Sequence, residues 1–256
     1  MEPVYESVIS LARLVFAAQG TKFTLHGTEN IPRTGGAVMA INHTGYMDFT
    51  YAGYAARPAG RLVRFMAKDE VFKHRISGPL MRGMRHIPVD RTAGAGSFRE
   101  AVAYLKRGEI VGVFPEATIS RSFELKEFKS GTVRMAAMAG VPILPTVIWG
   151  SQRVWTKDHP KRLGRTNTPI IVSVGEPITV GRRDDAELIN VQLIERMTQL
   201  LHEAQAEYPP MPESESAFLP ARLGGTAPTP DEAAALDAAE AERRAARRLS
   251  QGGTGE

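Results

Sequence analysis

AVMAINHTGYMDFTYAGYAA, residues 37–56, passes from an apolar run through a polar, glycine-containing loop into a helical pattern. A short apolar run bounded by turn residues predicts a buried strand. On its amino side lie the turn GTENIPRTGG at 27–36 and a strand signal at 22–26. On its carboxyl side further strand signals fall at 62–66, 110–114, 143–149 and 170–174, with helical patterns at 48–56, 97–107, 131–139 and 185–206. Strands alternating with crossover-length helices predict an α/β domain with a mixed, largely parallel sheet flanked by helices. No internal repeat is evident.

The ends of the chain differ from this middle. Over 2–18, Val4, Val8, Leu11 and Val15 recur at helical spacing with Leu14 beside them, which predicts an N-terminal amphipathic helix. Its apolar stripe either packs on the core or lies on a membrane surface with Arg13 near the headgroups. The expected organisation is this helix over 1–20, a folded domain over 21–207 and a tail over 208–256. The first part of the tail is rich in Pro, Gly and Ser and reads as linker. DEAAALDAAEAERRAARRL follows at 231–249, acidic first and basic last, as the helix macrodipole favours. It predicts an isolated, flexible helix or an interaction tail.

Composition narrows the chemistry. The 256 residues contain no cysteine, which excludes disulfides, thiol nucleophiles and thiolate metal sites. The net charge of +4 admits nucleic acid, anionic lipid or phosphorylated ligands as partners. Nucleic acid is the poorest fit, because the basic residues are scattered among acidic ones without a recognised module. No signal-peptide pattern opens the sequence. The longest uncharged stretch, 135–152, is broken by Gly140, Pro142, Pro145 and Gly150, so any membrane contact is expected to be peripheral.

Three stretches carry chemistry. In INHTGYMD, 41–48, His43 and Asp48 stand five apart across a turn that can bring their side chains together. A carboxylate accepting Nδ1–H fixes the imidazole tautomer and makes Nε2 more basic toward an incoming hydroxyl. This is the base and orienter of a hydrolytic triad. No G-x-S-x-G motif completes it, so the nucleophile is expected to come with the substrate. The bland alternative makes Asp48 a helix cap and His43 a polar loop residue. No third ligand at metal-binding spacing accompanies the pair, and no metal is expected. In GVFPEATISRSFELKEFKSG, 112–131, Pro115 ends a strand, and Glu116 and several hydroxyl and basic residues follow at an edge where open α/β sheets bind ligands. Arg121, Lys126 and Lys129 would cradle a phosphate there, or form a solvated loop. GMRHIPVDR, 83–91, sets a short strand before Asp90 and Arg91.

Together, in this order, the segments resemble the glycerolipid acyltransferase family that includes the 1-acylglycerol-3-phosphate acyltransferases. The blocks are NHxxxxD at 42–48, IPVDR at 87–91, FPEATIS at 114–120 and VPILP at 141–145, and the resemblance covers roughly 22–177. It implies that His43 deprotonates the acceptor hydroxyl, which attacks the thioester of acyl-CoA or acyl carrier protein, while Asp48 holds the imidazole. It implies acceptor contacts from Asn42, Arg91, Glu116, Thr118, Ser120, Arg121 and Lys129, and an acyl or donor channel shaped by 141–145. The implied reaction makes phosphatidate from lysophosphatidate in phospholipid synthesis, without a cofactor beyond the acyl donor. The implied place is peripheral, on the cytoplasmic face of the cell membrane, with the first helix on the lipid. Glycerol 3-phosphate, another lysophospholipid or a glycolipid are alternative acceptors, and a non-catalytic lipid-binding member of the fold is the alternative class.

Two positions depart from the family pattern. Ala117 replaces the usual glycine, which matters if that backbone needs positive φ. Ile119 replaces an arginine, removing a charge-assisted phosphate contact of about 1.5–3 kcal/mol. Arg121 would replace it only if the segment is extended, because residues two apart share a direction only on a strand.

Overall fold

The computed structural model describes residues 2–90 and 94–252. They form two compact units, one of 1–119 with 127–209 and one of 120–126 with 210–256. A single boundary near 208 therefore misses a short internal segment that groups with the tail.

The first unit contains helices α1 (Pro3–Gln19), α2 (Asp48–Ala55), α3 (Asp69–Lys73), α4 (Ser77–Gly83), α5 (Gly94–Lys106), α6 (Gly131–Ala139) and α7 (Ala186–Glu207). Its strands are β1 (Lys22–His26), β2 (Ala37–Ile41), β3 (Val63–Lys68), β4 (Ile87–Val89), β5 (Ile110–Val113), β6 (Ile143–Trp149) and β7 (Pro169–Val174). They make one sheet in the order β1-β7-β6-β2-β5-β3-β4. From β6 to β4 every neighbour is parallel, while β7 runs against β6 and β1 runs with β7. The sheet is thus mixed and largely parallel, as the alternation predicts. All of β2, β5 and β6 is buried, which is why they read as unbroken apolar runs. Gly112 lets β5 pass beneath Phe65, whose ring stands 2.7 Å from where a Cβ would sit. α3 and α4 escape the sequence reading because they are short and separated by a break at His74–Ile76.

α1 starts with Pro3 in its first turn and ends at Gly20, whose φ of 68° closes a left-handed cap. The expected stripe of Val4, Val8, Leu11 and Val15 is not the buried one. Tyr5 and Phe16 are buried with Ile9 and Ala12 half-buried between them, while Leu11 and Leu14 are 61% and 69% exposed. The aromatic line offers more area to the core and takes the inner face. Ion pairs fasten the helix: Arg57 to Glu6, and the buried Arg64 of β3 to both Glu2 and Glu109. Arg64 holds the Glu2 carboxyl below the usual carboxylate range, and the Tyr5 hydroxyl donates to Val63 O at 2.7 Å.

In the second unit, α8 (Pro230–Gly252) follows two 3-10 turns, Glu213–Phe218 and Ala221–Leu223. The stretch expected as linker is therefore structured, and the helix expected to stand alone is tied. Asp237 takes Arg121 and Lys126, and Glu240 takes Arg121.

Candidate active site

Five parallel strands end on one edge of the sheet. β2 delivers Asn42 and His43 there, β5 delivers Phe114 to Glu116, β3 ends in Lys68, and β6 leads into Gly150 and Ser151. Asn42 bridges to β6 with both amide atoms: Nδ2 donates to Ile148 O at 3.1 Å, and Oδ1 accepts from Ile148 N at 2.7 Å. At 1% exposure it fixes the end of β2 and is not available as an acceptor contact.

Beyond Asn42 the chain turns through 44–47 into α2, and Asp48 is fully buried at the helix start. Its Oδ2 accepts from His43 Nδ1 at 2.9 Å, Thr44 N at 2.8 Å and Gly45 N at 2.9 Å. The carboxylate therefore shapes the loop and orients the imidazole with the same oxygen. Its charge also reaches Tyr51, whose phenol is pushed up first by burial and then by Asp48. Gly45 is required by packing, because a Cβ there would lie 2.3 Å from Ser151 Oγ.

The other walls come from β5. Phe114 stacks on the His43 ring at 4.2 Å between centroids and 27° between planes. The Glu116 carboxylate, 4% exposed, accepts from the His43 backbone N–H at 2.8 Å. With Nδ1 bonded and the ring stacked, Nε2 faces outward, and the side chain is 21% exposed. Among the described residues no side chain hydrogen-bonds Nε2. This arrangement can take a proton from a hydroxyl that arrives with a substrate.

Arg91 lies outside the described residues. Thr118 stands in the turn after Glu116, where Ala117 N donates to Phe114 O and Thr118 N to Glu116 O. Ser120 is buried, and its hydroxyl donates to Glu124 O within the second unit. Arg121 does not take the place of the missing arginine on an extended segment. The segment bends, and the guanidinium is engaged by Asp237 and Glu240. Lys129 closes the loop through its backbone N to Pro115 O, with its side chain exposed. The 141–145 block leads from the half-buried Val141 and Pro142 into the buried β6, where Ile143 and Pro145 pair with Val38 and Ala40. Ala117 adopts φ +61°, the left-handed conformation for which glycine is the usual residue.

Sequence reasoning missed Phe114 as a wall of the site and Lys68 on the same edge, since a lone aromatic or lysine at a strand end carries no signal. It also passed over an apolar groove between α1, α2 and β3, lined by Ala12, Phe16, Phe49, Tyr54, Phe65 and His86. His86 accepts from Phe65 N–H through Nδ1 at 3.1 Å, and burial, with the charge of Arg64, pushes its imidazole down to about 4.

A seven-stranded, largely parallel sheet with a histidine–carboxylate pair on its carboxyl edge and, among the described residues, no protein nucleophile bonded to it defines an acyl-transfer type of site. The chain belongs to the Acyltransferase family, whose model matches residues 22–149. It is 28% identical over 201 residues to the 1-acyl-sn-glycerol-3-phosphate acyltransferase of Bacillus subtilis, covering 78% of this chain and 94% of that protein. It is also 28% identical over 155 residues to a chloroplast 1-acyl-sn-glycerol-3-phosphate acyltransferase of Arabidopsis thaliana, spanning 59% of this chain and 42% of that one. The fold matches the crystal structure of the 1-acyl-sn-glycerophosphate acyltransferase of Thermotoga maritima with a TM-score of 0.66, at 23% identity over 80% and 81% of the two chains.

Proposed function

We propose that this enzyme transfers a fatty acyl group from an acyl thioester to the free hydroxyl of lysophosphatidate, making phosphatidate. The reading rests on His43: Nδ1 held by Asp48, ring stacked on Phe114, backbone pinned by Glu116 and Nε2 left for a ligand. Nε2 takes the acceptor's hydroxyl proton as its oxygen attacks the thioester carbonyl. The new C–O bond forms, the C–S bond breaks, and the proton passes from Nε2 to the departing thiolate. Asp48 stabilises the imidazolium formed between these steps. The names of the relatives support lysophosphatidate as acceptor, and the apolar groove beside α2 suits part of an acyl chain. The donor is acyl-CoA or acyl carrier protein, and the place of work is a membrane surface met peripherally through α1. Among the described residues no helix is long and apolar enough to cross a membrane.

The test is acceptor-dependent thiol release in detergent micelles, with lysophosphatidate, glycerol 3-phosphate and other lysolipids offered to both donor types. The expected result is fastest release with lysophosphatidate, lost in His43→Ala. Wild-type protein that releases thiol with none of them would end the enzymatic reading.

A further inference from the structure

The loop after β6 is basic and belongs to none of the blocks that define the site. Between 153 and 165 it carries Arg153, Lys157, Lys161, Arg162 and Arg165 against one acid, Asp158. It is fastened to the catalytic loop from below. Tyr46 N donates to Trp155 O at 2.9 Å, Thr156 Oγ1 donates to Thr44 O at 2.6 Å, and the Tyr46 and Trp155 rings pack at 4.8 Å. Lys161 Nζ stands 4.2 Å from the Trp155 ring centre. It is equally fastened to α1: Gln19 Nε2 donates to Leu163 O at 3.1 Å, and Asn167 N donates to Gln19 O at 3.0 Å.

These ties make one continuous surface from three elements. On α1, Leu11 and Val15 are exposed and lie on the helical line that leads to Gln19. Across the Gln19 contact, Leu163 is 47% exposed between the exposed Lys161 and Arg165. Past Trp155 the surface reaches Tyr46, 42% exposed and three residues from His43. Exposed aliphatics, an exposed Tyr beside a half-buried Trp ring, and cations at their margin are the composition of a surface that sits at a lipid–water boundary. The local excess of cations selects an anionic surface over a neutral one.

We infer that the 155–165 loop is a second membrane-docking element, which binds anionic phospholipid headgroups through Lys161 and Arg165 and, together with α1, sets the His43 entrance against the lipid. This rests on the reading of the chain as a peripheral enzyme of membrane lipid. That reading is measured separately by wild-type thiol release in detergent micelles, where no bilayer is present.

The experiment is co-sedimentation of the full chain with vesicles of phosphatidylcholine alone or mixed with phosphatidylglycerol. Each cation near an anionic surface contributes about fivefold to binding, so Lys161→Ala/Arg165→Ala should weaken binding to the mixed vesicles by about thirtyfold, with little change on neutral ones. Raising the salt should shrink the difference. An unchanged thermal midpoint shows that the variant is folded. The protein has two tryptophans, Trp149 buried and Trp155 half-buried, so the vesicle-induced blue shift of fluorescence should vanish in Trp155→Phe. Equal binding of wild type and double variant, or a blue shift that persists without Trp155, would overturn the inference. So would a loop that binds an acidic acyl carrier protein and no vesicle.

Discussion

Asp48 makes two kinds of contact with one oxygen, and substitution separates them. Of its three hydrogen bonds, one orients His43 and two hold the backbone of Thr44 and Gly45. His43→Ala removes the base and a single bond, leaving the loop tied. It should lower acceptor-dependent turnover by about 10³-fold or more while costing about 1.5–3 kcal/mol of stability. Asp48→Ala strands two buried backbone donors as well. Hydrogen bonds to a charged group contribute about 1.5–3 kcal/mol each, so this variant should lose about 3–6 kcal/mol from the two backbone bonds alone and also fall to the turnover floor. Asp48→Asn keeps one acceptor oxygen for the loop but places an amide where Oδ1 sits buried without a hydrogen-bond partner. Its stability should lie between the other two, with turnover still depressed by about 10²-fold or more. Thiol release and urea unfolding on the same preparations give both axes. If His43→Ala destabilises as much as Asp48→Ala, or if Asp48→Asn turns over within threefold of wild type, the division of labour at Oδ2 is wrong.

Ala117→Gly relieves a left-handed residue on an exposed turn and should raise stability by about 1 kcal/mol, or about 2–4 °C in the thermal midpoint; a lowered midpoint would contradict the φ of this turn. Burial holds His86 neutral in the folded state, with a pKa near 4 against an ordinary 6.5. The unfolded chain therefore binds the extra proton between pH 6.5 and 4, and stability falls with acid across that window, by about 2 kcal/mol from pH 7.5 to 5. His86→Asn, which keeps an acceptor for Phe65 N–H and cannot be protonated, should flatten that part of a urea-unfolding pH series. Asp237→Asn/Glu240→Gln removes the carboxylates that hold Arg121 and Lys126. A loss of about 2 kcal/mol raises the opened fraction of α8 about thirtyfold, so limited proteolysis within 210–256 should accelerate by that order; an unchanged cleavage rate would refute it.

What the sequence made legible was local. His43 and Asp48 are five residues apart, so a turn suffices to join them, and the residue types name the chemistry. The α/β alternation was legible because β2, β5 and β6 are buried on both faces and show no period of two. Contacts made through the backbone were hidden. Glu116 reads as a substrate ligand, and its carboxylate also holds the main-chain N–H of His43, a donor that leaves no trace in residue type. Asn42 likewise spends both amide atoms on Ile148, more than a hundred positions away. Of the two places open to the aliphatic stripe of α1, the core is taken by Tyr5 and Phe16, whose rings decide the packing, and this leaves Leu11 and Val15 outside.

Ile119 ties the two departures of the third block together. A guanidinium at that position would need a charged or polar partner to offset desolvation, because the residue is 3% exposed. The turn that buries it runs through the left-handed Ala117 and is closed by Ala117 N to Phe114 O and Thr118 N to Glu116 O. The extended backbone that would let Arg121 stand in for residue 119 is absent, because 121–124 form bends. Arg121 accordingly has a different task, binding the acidic face of α8. The block thus keeps the turn that carries Glu116 back to His43 while placing a buried apolar side chain at 119.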